Sequence, residues 1–276
     1  GRIYLMMQAL EGNPVTAIAP IRTAPAAVGD YRFLLASCAR RGGPDGDIPG
    51  NPPFTNGQSR YQSFDRLLEL LPNPLDMMVY VGDVHYGKTT DLTKLRWNYR
   101  VTRGDRSLLH QTVPTLAVWD DHDFGPNPPS LDAPNEPIEP IDKVTSARVF
   151  REYFANPFAL DTGPIYFRQR YGDVEFFGLD TRYFRSDLTK PKPPEPNMLG
   201  DKQTAWLLDA LEKSTATFKI VVSGSKYTPA SGSDKAWGEF QFELGKLYGA
   251  LDTRKIAGVV FASGGPHHSE IRTIKR

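Results

Sequence analysis

Four apolar runs in this chain each end in side chains able to bind a metal ion. Thr115–Trp119 empties into Asp120, Asp121, His122 and Asp123, and Leu75–Val81 into Gly82, Asp83, His85 and Tyr86. Gly258–Ser263 leads to Gly264, Gly265, His267, His268 and Glu270, and Tyr31–Ala36 to Ser37 and Cys38. Runs of this length read as buried strands. Carboxylates clustered at the end of a buried strand repel one another unless a cation or a proton neutralises them. In open α/β sheets, ligand sites collect at the carboxyl edge of the strands. Each run alone is ordinary turn chemistry, because Gly-Asp is a common turn pair and an acidic cluster can be a solvated turn. Their coincidence points to a metal site built where four strands end.

The segments between these runs predict helices. Tyr61, Phe64, Leu67, Leu68 and Leu71 fall on one face at helical spacing, as do Leu92, Leu95 and Tyr99 in a helix over 91–103. Residues 144–155 read as helical, and Asp201 is placed to cap a helix carrying Ala205, Trp206, Leu207, Ala210 and Leu211. A further helix near 239–252 aligns Phe240, Leu244, Leu247, Tyr248 and Leu251, following a strand over 219–223. Gly172-Asp173 marks a hairpin between Ile165–Tyr171 and Val174–Leu179. The stretches 41–57, 125–142 and 187–198 are rich in glycine or proline and read as loops. Alternating strands and helices argue for an α/β sandwich, and the hairpin makes its sheets mixed.

Charge and composition exclude several classes. Lys and Arg number 33 against 32 Asp and Glu, and no basic stripe marks a nucleic-acid surface. No apolar run approaches the roughly 18 residues that span a bilayer. Cys38 is the single cysteine, which rules out an internal disulfide framework. The first residues do not read as a signal peptide, and the compartment is not expected to be legible in this stretch of sequence. It starts in what reads as mid-strand and stops just past a strand–loop motif; a piece of a longer protein is the expectation.

The donors at the strand ends are chemically diverse. Asp83 and Asp121 are hard oxygen ligands, and His122, His267 and His268 are nitrogen ligands or proton donors. Cys38 as thiolate and Tyr86 as phenolate favour a trivalent iron, whereas carboxylates with amide or water oxygens favour calcium, magnesium or manganese. Two metals about 3.5–4 Å apart can clamp a phosphate and generate hydroxide for in-line attack. Bland roles stand beside these: Cys38 as a small core residue, Tyr86 as loop packing. His85 points away from Tyr86 if the turn stays extended, which places it outside the first set of ligands, and His267 and His268 can hardly both face one metal.

In this order, Ser37-Cys38-Ala39, Gly82-Asp83 with Tyr86, Trp119-Asp120-Asp121-His122-Asp123-Phe124 with Asn127, Leu179-Asp180-Thr181-Arg182-Tyr183, and Ser263-Gly264 with His267 resemble the PhoD-like alkaline phosphatase family. Met198-Leu199-Gly200 with Gln203, Trp206 and Leu207, and Val221–Ser225, also fit it. The resemblance covers about residues 30–272. It implies the four-layer α/β/β/α sandwich of the metallophosphoesterases, with residues 1–29 as the end of an amino-terminal β-module or linker and 30–276 as the catalytic domain. It implies that Cys38, Asp83 and Tyr86 hold Fe3+, with His267 among the metal ligands. Asp83 would bridge to a second ion, Ca2+ or another divalent such as Mn2+ or Mg2+, bound also by Asp121 and Asn127. His122 would assist protonation of phosphate or leaving group. Arg182 would touch phosphate or support the site, with an ion pair to Asp180 as its other role. The implied activity is hydrolysis of small phosphate mono- and diesters by a metal-activated hydroxide, in the periplasm or secreted after twin-arginine export.

One departure stands out. The family carries Gly-Asp-x-His near its end, with the aspartate as a ligand; here that position is Gly265, followed by Pro266. His268, Ser269 or Glu270 could compensate. A second reading is therefore a weakened or non-catalytic relative that binds an anionic ligand. A third, a cysteine hydrolase using Cys38 and a histidine, leaves the acidic clusters unexplained.

Overall fold

Phe33–Ala36, Met77–Val81 and Thr115–Val118 pair in parallel as β3, β4 and β5, in the order β3-β4-β5. The computed structural model describes residues 2–7, 17–22, 24–38, 69, 75–87, 89, 91–125, 142–188, 194–227, 236–265 and 270–273. Ahead of β3, β1 (Arg2–Met7) and β2 (Ala17–Arg22) form a separate antiparallel pair. A second sheet takes β6 (Phe167–Tyr171), β7 (Val174–Gly178), β8 (Phe218–Ser223) and β9 (Val259–Ser263) in sequence order. The β6–β7 hairpin is antiparallel and the remaining pairs parallel, so this sheet is mixed.

Both faces of β4 are buried, and its alternation divides them. Met77, Val79 and Val81 point between the two sheets, where they meet Leu116, Val118, Phe167, Phe176 and Val222. Met78 and Tyr80 point the other way with Ala117 and Trp119, against helices α1 (Leu92–Asp105) and α4 (Lys143–Tyr153), through Leu95, Tyr99, Ala147 and Phe150. The second sheet repeats this: Phe177 and Val221 face α5 (Gly200–Lys213) and α6 (Gln241–Thr253) through Leu207, Leu211, Leu244 and Leu247. Three cores separate four layers, which is the α/β/β/α sandwich. Each fully buried aromatic or aliphatic side chain contributes about 1.5–3 kcal/mol. Short helices α2 (Ser107–Thr112) and α3 (Asp121–Phe124) flank β5.

Local signals explain most boundaries. Asp91 caps α1 by accepting from Thr93 N at 2.8 Å and Lys94 N at 3.0 Å. Asp142 caps α4 in the same way through Val144 and Thr145. The expected cap on α5 is corrected: Asp201 lies inside the helix and Leu199 is the cap position. The job passes to a tertiary partner, since the buried Glu243 carboxylate on α6 accepts from the N–H groups of Leu199 and Gly200, both at 3.1 Å. The helix expected at 239–252 begins as a 3-10 turn, Trp237–Phe240, before α6. The expected helix through 61–71 lies outside the described residues apart from Glu69, as does most of the proline-rich stretch 125–142. The free edge of β5 is closed by Asn156, whose amide bonds both Ala117 N (3.2 Å) and Ala117 O (2.7 Å).

The two sheets converge where their strands end. Gly224, just past β8, fits directly against the Trp119 carbonyl, and a Cβ there would lie 3.0 Å from Asp120 Cβ. Only glycine allows this approach. It draws the carboxyl end of β8 onto that of β5 and gathers the residues after β3, β4, β5 and β9 into one place.

Candidate metal centre

Two of the residues that leave these strands hold strained backbones. Cys38, two residues past β3, has φ 55°, and Asp83, two past β4, has φ 51°. Left-handed φ is rare for residues other than glycine and costs of order 1–3 kcal/mol where structure enforces it. Both side chains are turned toward one another: Cys38 Sγ lies 3.6 Å from Asp83 Oδ2 and donates to it. Asp83, Asp121 and His122 bring a ligand atom each within 4.8 Å of one another, and both carboxylates are buried. His122 also donates its backbone N–H to Asp83 Oδ1 at 3.4 Å. The Tyr86 ring lies against the His122 ring at 4.1 Å between centroids, and its hydroxyl bonds the Cys38 thiol.

The three aspartates after β5 look alike in sequence and do three different things. Asp123 turns inward as a backbone clamp: Oδ1 accepts from Val84 N at 2.9 Å and His85 N at 3.3 Å, and Oδ2 from Asp120 N at 3.0 Å. Asp120 receives the Arg182 guanidinium, Nε at 2.7 Å, and the Ser225 hydroxyl at 3.1 Å, all on Oδ1. Asp121 faces Asp83, with Arg182 Nη2 at 3.7 Å. Arg182 is buried with Asp120, and it is the Arg182 backbone N–H that goes to Asp180. No sequence signal marked Ser225 as a partner of Asp120 beyond its place in the Ser-Gly-Ser that ends β8.

Electrostatics set this cluster apart from a solvated turn. Burial, then the neighbouring Asp120, Asp121 and Asp123, push the Asp83 carboxyl well above the usual carboxylate range, against the pull of Arg182. Burial raises Asp120 despite the same guanidinium, and pushes Asp123 up to about 8 despite the N–H groups it accepts. Burial likewise raises the Cys38 thiol and the Tyr86 phenol, so both hold their protons without a cation beside them. A cation would relieve this strain and release those protons. The donor set, two carboxylates and an imidazole beside a thiol and a phenol, fits metal ions. His85 takes no part: it is buried edge-on to Tyr99 with centroids 4.4 Å apart, and burial lowers its pKa to about 3.

Asn127, His267 and His268 lie outside the described residues. Gly265 is described, with φ 99° at the end of β9. A Cβ there would sit 3.5 Å from Gly224 O and 3.7 Å from Asp120 Oδ2, facing the acidic cluster.

Residues 33–276 match the family profile described as PhoD-like phosphatase. The chain is 24% identical over 238 residues to "Alkaline phosphatase D" of Bacillus subtilis (strain 168), covering 74% of this chain and 40% of that protein. It is similar to a solved "Structure of PhoD" with a TM-score of 0.66 at 19% identity, over 93% of this chain and 55% of the other. It is also similar to the purple acid phosphatase PPD1 from yellow lupin (Lupinus luteus) seeds, with a TM-score of 0.57 at 13% identity, over 90% of this chain and 41% of the other. The chain thus spans about half the length of these relatives or less. The structural likenesses concern the fold.

Proposed function

The chain belongs to the PhoD-like phosphatase family, and on that premise we propose that it hydrolyses small phosphate mono- and diesters at the cluster of Asp83, Asp121 and His122. The observation that carries this reading is the meeting of those three groups within 4.8 Å, two of them buried carboxylates. Asp83 and Asp121 would hold metal ions together with Cys38 and Tyr86, and Asn127 and His267 would complete the set. Sulfur and phenol donors favour Fe3+ on one side, and carboxylates favour Ca2+, Mn2+ or Mg2+ on the other. Bound there, such ions supply Lewis acidity toward the phosphoryl oxygens and activate water.

The chain's own residues divide the remaining work. Arg182 pairs closely with Asp120 and lies 3.7 Å from Asp121, so that Asp83 and Asp121 would be the carboxylates left to hold the ions. His122 is held by its backbone bond to Asp83 and by the Tyr86 ring, where its imidazole can bind a cation or hand a proton to the departing oxygen. The partly buried Cys38 thiol takes its place among the donors of this cluster, which keeps the cysteine-hydrolase reading behind the first.

Gly265 favours a second reading, a weakened site that binds an anionic ligand. It presents no donor of its own where its missing Cβ faces Asp120. The test is release of nitrophenol from bis(p-nitrophenyl) phosphate and p-nitrophenyl phosphate, by protein stripped with chelator and then supplied with iron and calcium or with manganese. Turnover restored by metal supports hydrolysis; metal uptake without turnover supports the second reading.

A further inference from the structure

Asp180 is a fully buried carboxylate that, among the described residues, touches none of the side chains assigned as metal ligands, yet it holds both elements that form the centre. It stands two residues past β7. Its Oδ1 accepts from Trp119 Nε1 at 2.7 Å, Tyr183 N at 2.9 Å and Arg182 N at 3.0 Å, and its Oδ2 accepts from Ile165 N at 2.8 Å. Trp119 immediately precedes Asp120, Asp121 and His122. Arg182 carries the guanidinium that binds Asp120. One carboxylate therefore ties the strand end that bears the acidic cluster to the turn that bears its counter-charge. Its own backbone is pinned by Gln203, which accepts from Asp180 N at 2.7 Å and donates to Asp180 O at 2.8 Å.

A buried charge satisfied by four N–H groups is held in one orientation, because any rotation leaves a donor or an oxygen unpaired in a dry environment. Phe150 and Phe124 pack against the same tryptophan, so its indole cannot follow a displaced partner without disturbing that core. We propose that Asp180 is a positioning residue that sets Arg182 against Asp120 and fixes the approach of Asp121 to Asp83, so that the affinity of the centre for its metal depends on a carboxylate that never meets it. This rests on reading Asp83, Asp121 and His122 as metal-binding.

The test uses Mn2+ alone, titrated calorimetrically into chelator-stripped wild type, Asp180→Asn and Trp119→Phe, at a temperature where each is fully folded by circular dichroism. Asp180→Asn keeps the volume but sets an amide N–H against Ile165 N–H. Trp119→Phe keeps an aromatic ring in the core while removing the N–H toward Asp180 together with the five-membered part of the indole, and as a second, apolar-for-apolar change it guards against failure of the first variant to fold. Residues that orient ligands typically carry about 10- to 100-fold in metal affinity. The expected result is a loss of about 10-fold in each variant, with the double variant little worse than Asp180→Asn, since both changes cut one link. Unchanged Mn2+ affinity in Trp119→Phe beside tight binding by wild type would overturn the positioning role, as would additive losses in the double variant. Wild type that takes up no Mn2+ would overturn the metal centre itself, and this inference with it.

Discussion

Arg182 Nε lies 2.7 Å from Asp120 Oδ1, and both side chains are about 2% exposed. The pair spans the two sheets, joining the end of β5 to the turn after β7. A buried pair of this kind adds little net stability over apolar packing, but removing one partner strands the other. Arg182→Met is expected to destabilise the chain by about 3–5 kcal/mol, read as a shift of the urea midpoint at constant slope. Arg182→Lys should recover only part of this, because an ammonium cannot repeat the contacts of the guanidinium fork. A loss under about 1 kcal/mol for the methionine variant would mean that Asp120 is neutralised by another group.

That pair also shows where the sequence is legible and where it is not. The four apolar runs ending in metal-capable residues announce the sheets and the edge that carries the site, because continuous apolar runs and turn glycines are local signals. The division of labour among Asp120, Asp121 and Asp123 is not local. It depends on Arg182, 62 residues away, and on N–H groups from Val84 and His85. The cap of α5 fails as a local reading for the same reason: Asp201 has the right chemistry two positions too late, and Glu243, 43 residues from Gly200, supplies the acceptor.

Glu243→Ala should therefore unfold more easily, by about 1–3 kcal/mol, since it leaves buried N–H groups at the start of α5 without an acceptor. Asp201→Ala, on an exposed position of the first turn, should lose less than about 1 kcal/mol. Equal losses by chemical denaturation would return the cap to Asp201.

With iron supplied, the Cys38–Tyr86 pair should give a visible charge-transfer band. Tyr86→Phe should abolish it, and Cys38→Ser should shift it and weaken hydrolysis without ending it. Complete loss of activity in Cys38→Ser with full metal content would move the reading to a cysteine nucleophile.

Gly265→Asp places a carboxylate where the missing Cβ faces Asp120 Oδ2. The left-handed φ of 99° should make the variant less stable, by about 1 kcal/mol or more. If the site lacks a donor there, the Mn2+ concentration that half-saturates hydrolysis should fall in spite of that strain. A rise, with the fold intact, would show that the site is already complete.

The central claim is that Asp83 and Asp121 form a metal centre on which hydrolysis depends. Its most direct test is metal content by elemental analysis, measured with bis(p-nitrophenyl) phosphate turnover, for wild type, Asp83→Ala and Asp121→Ala after reconstitution with iron and calcium. The account predicts bound metal and turnover in wild type, and loss of both in each variant while circular dichroism stays native. Turnover that persists in Asp121→Ala, or wild type that holds no metal above trace, would contradict it.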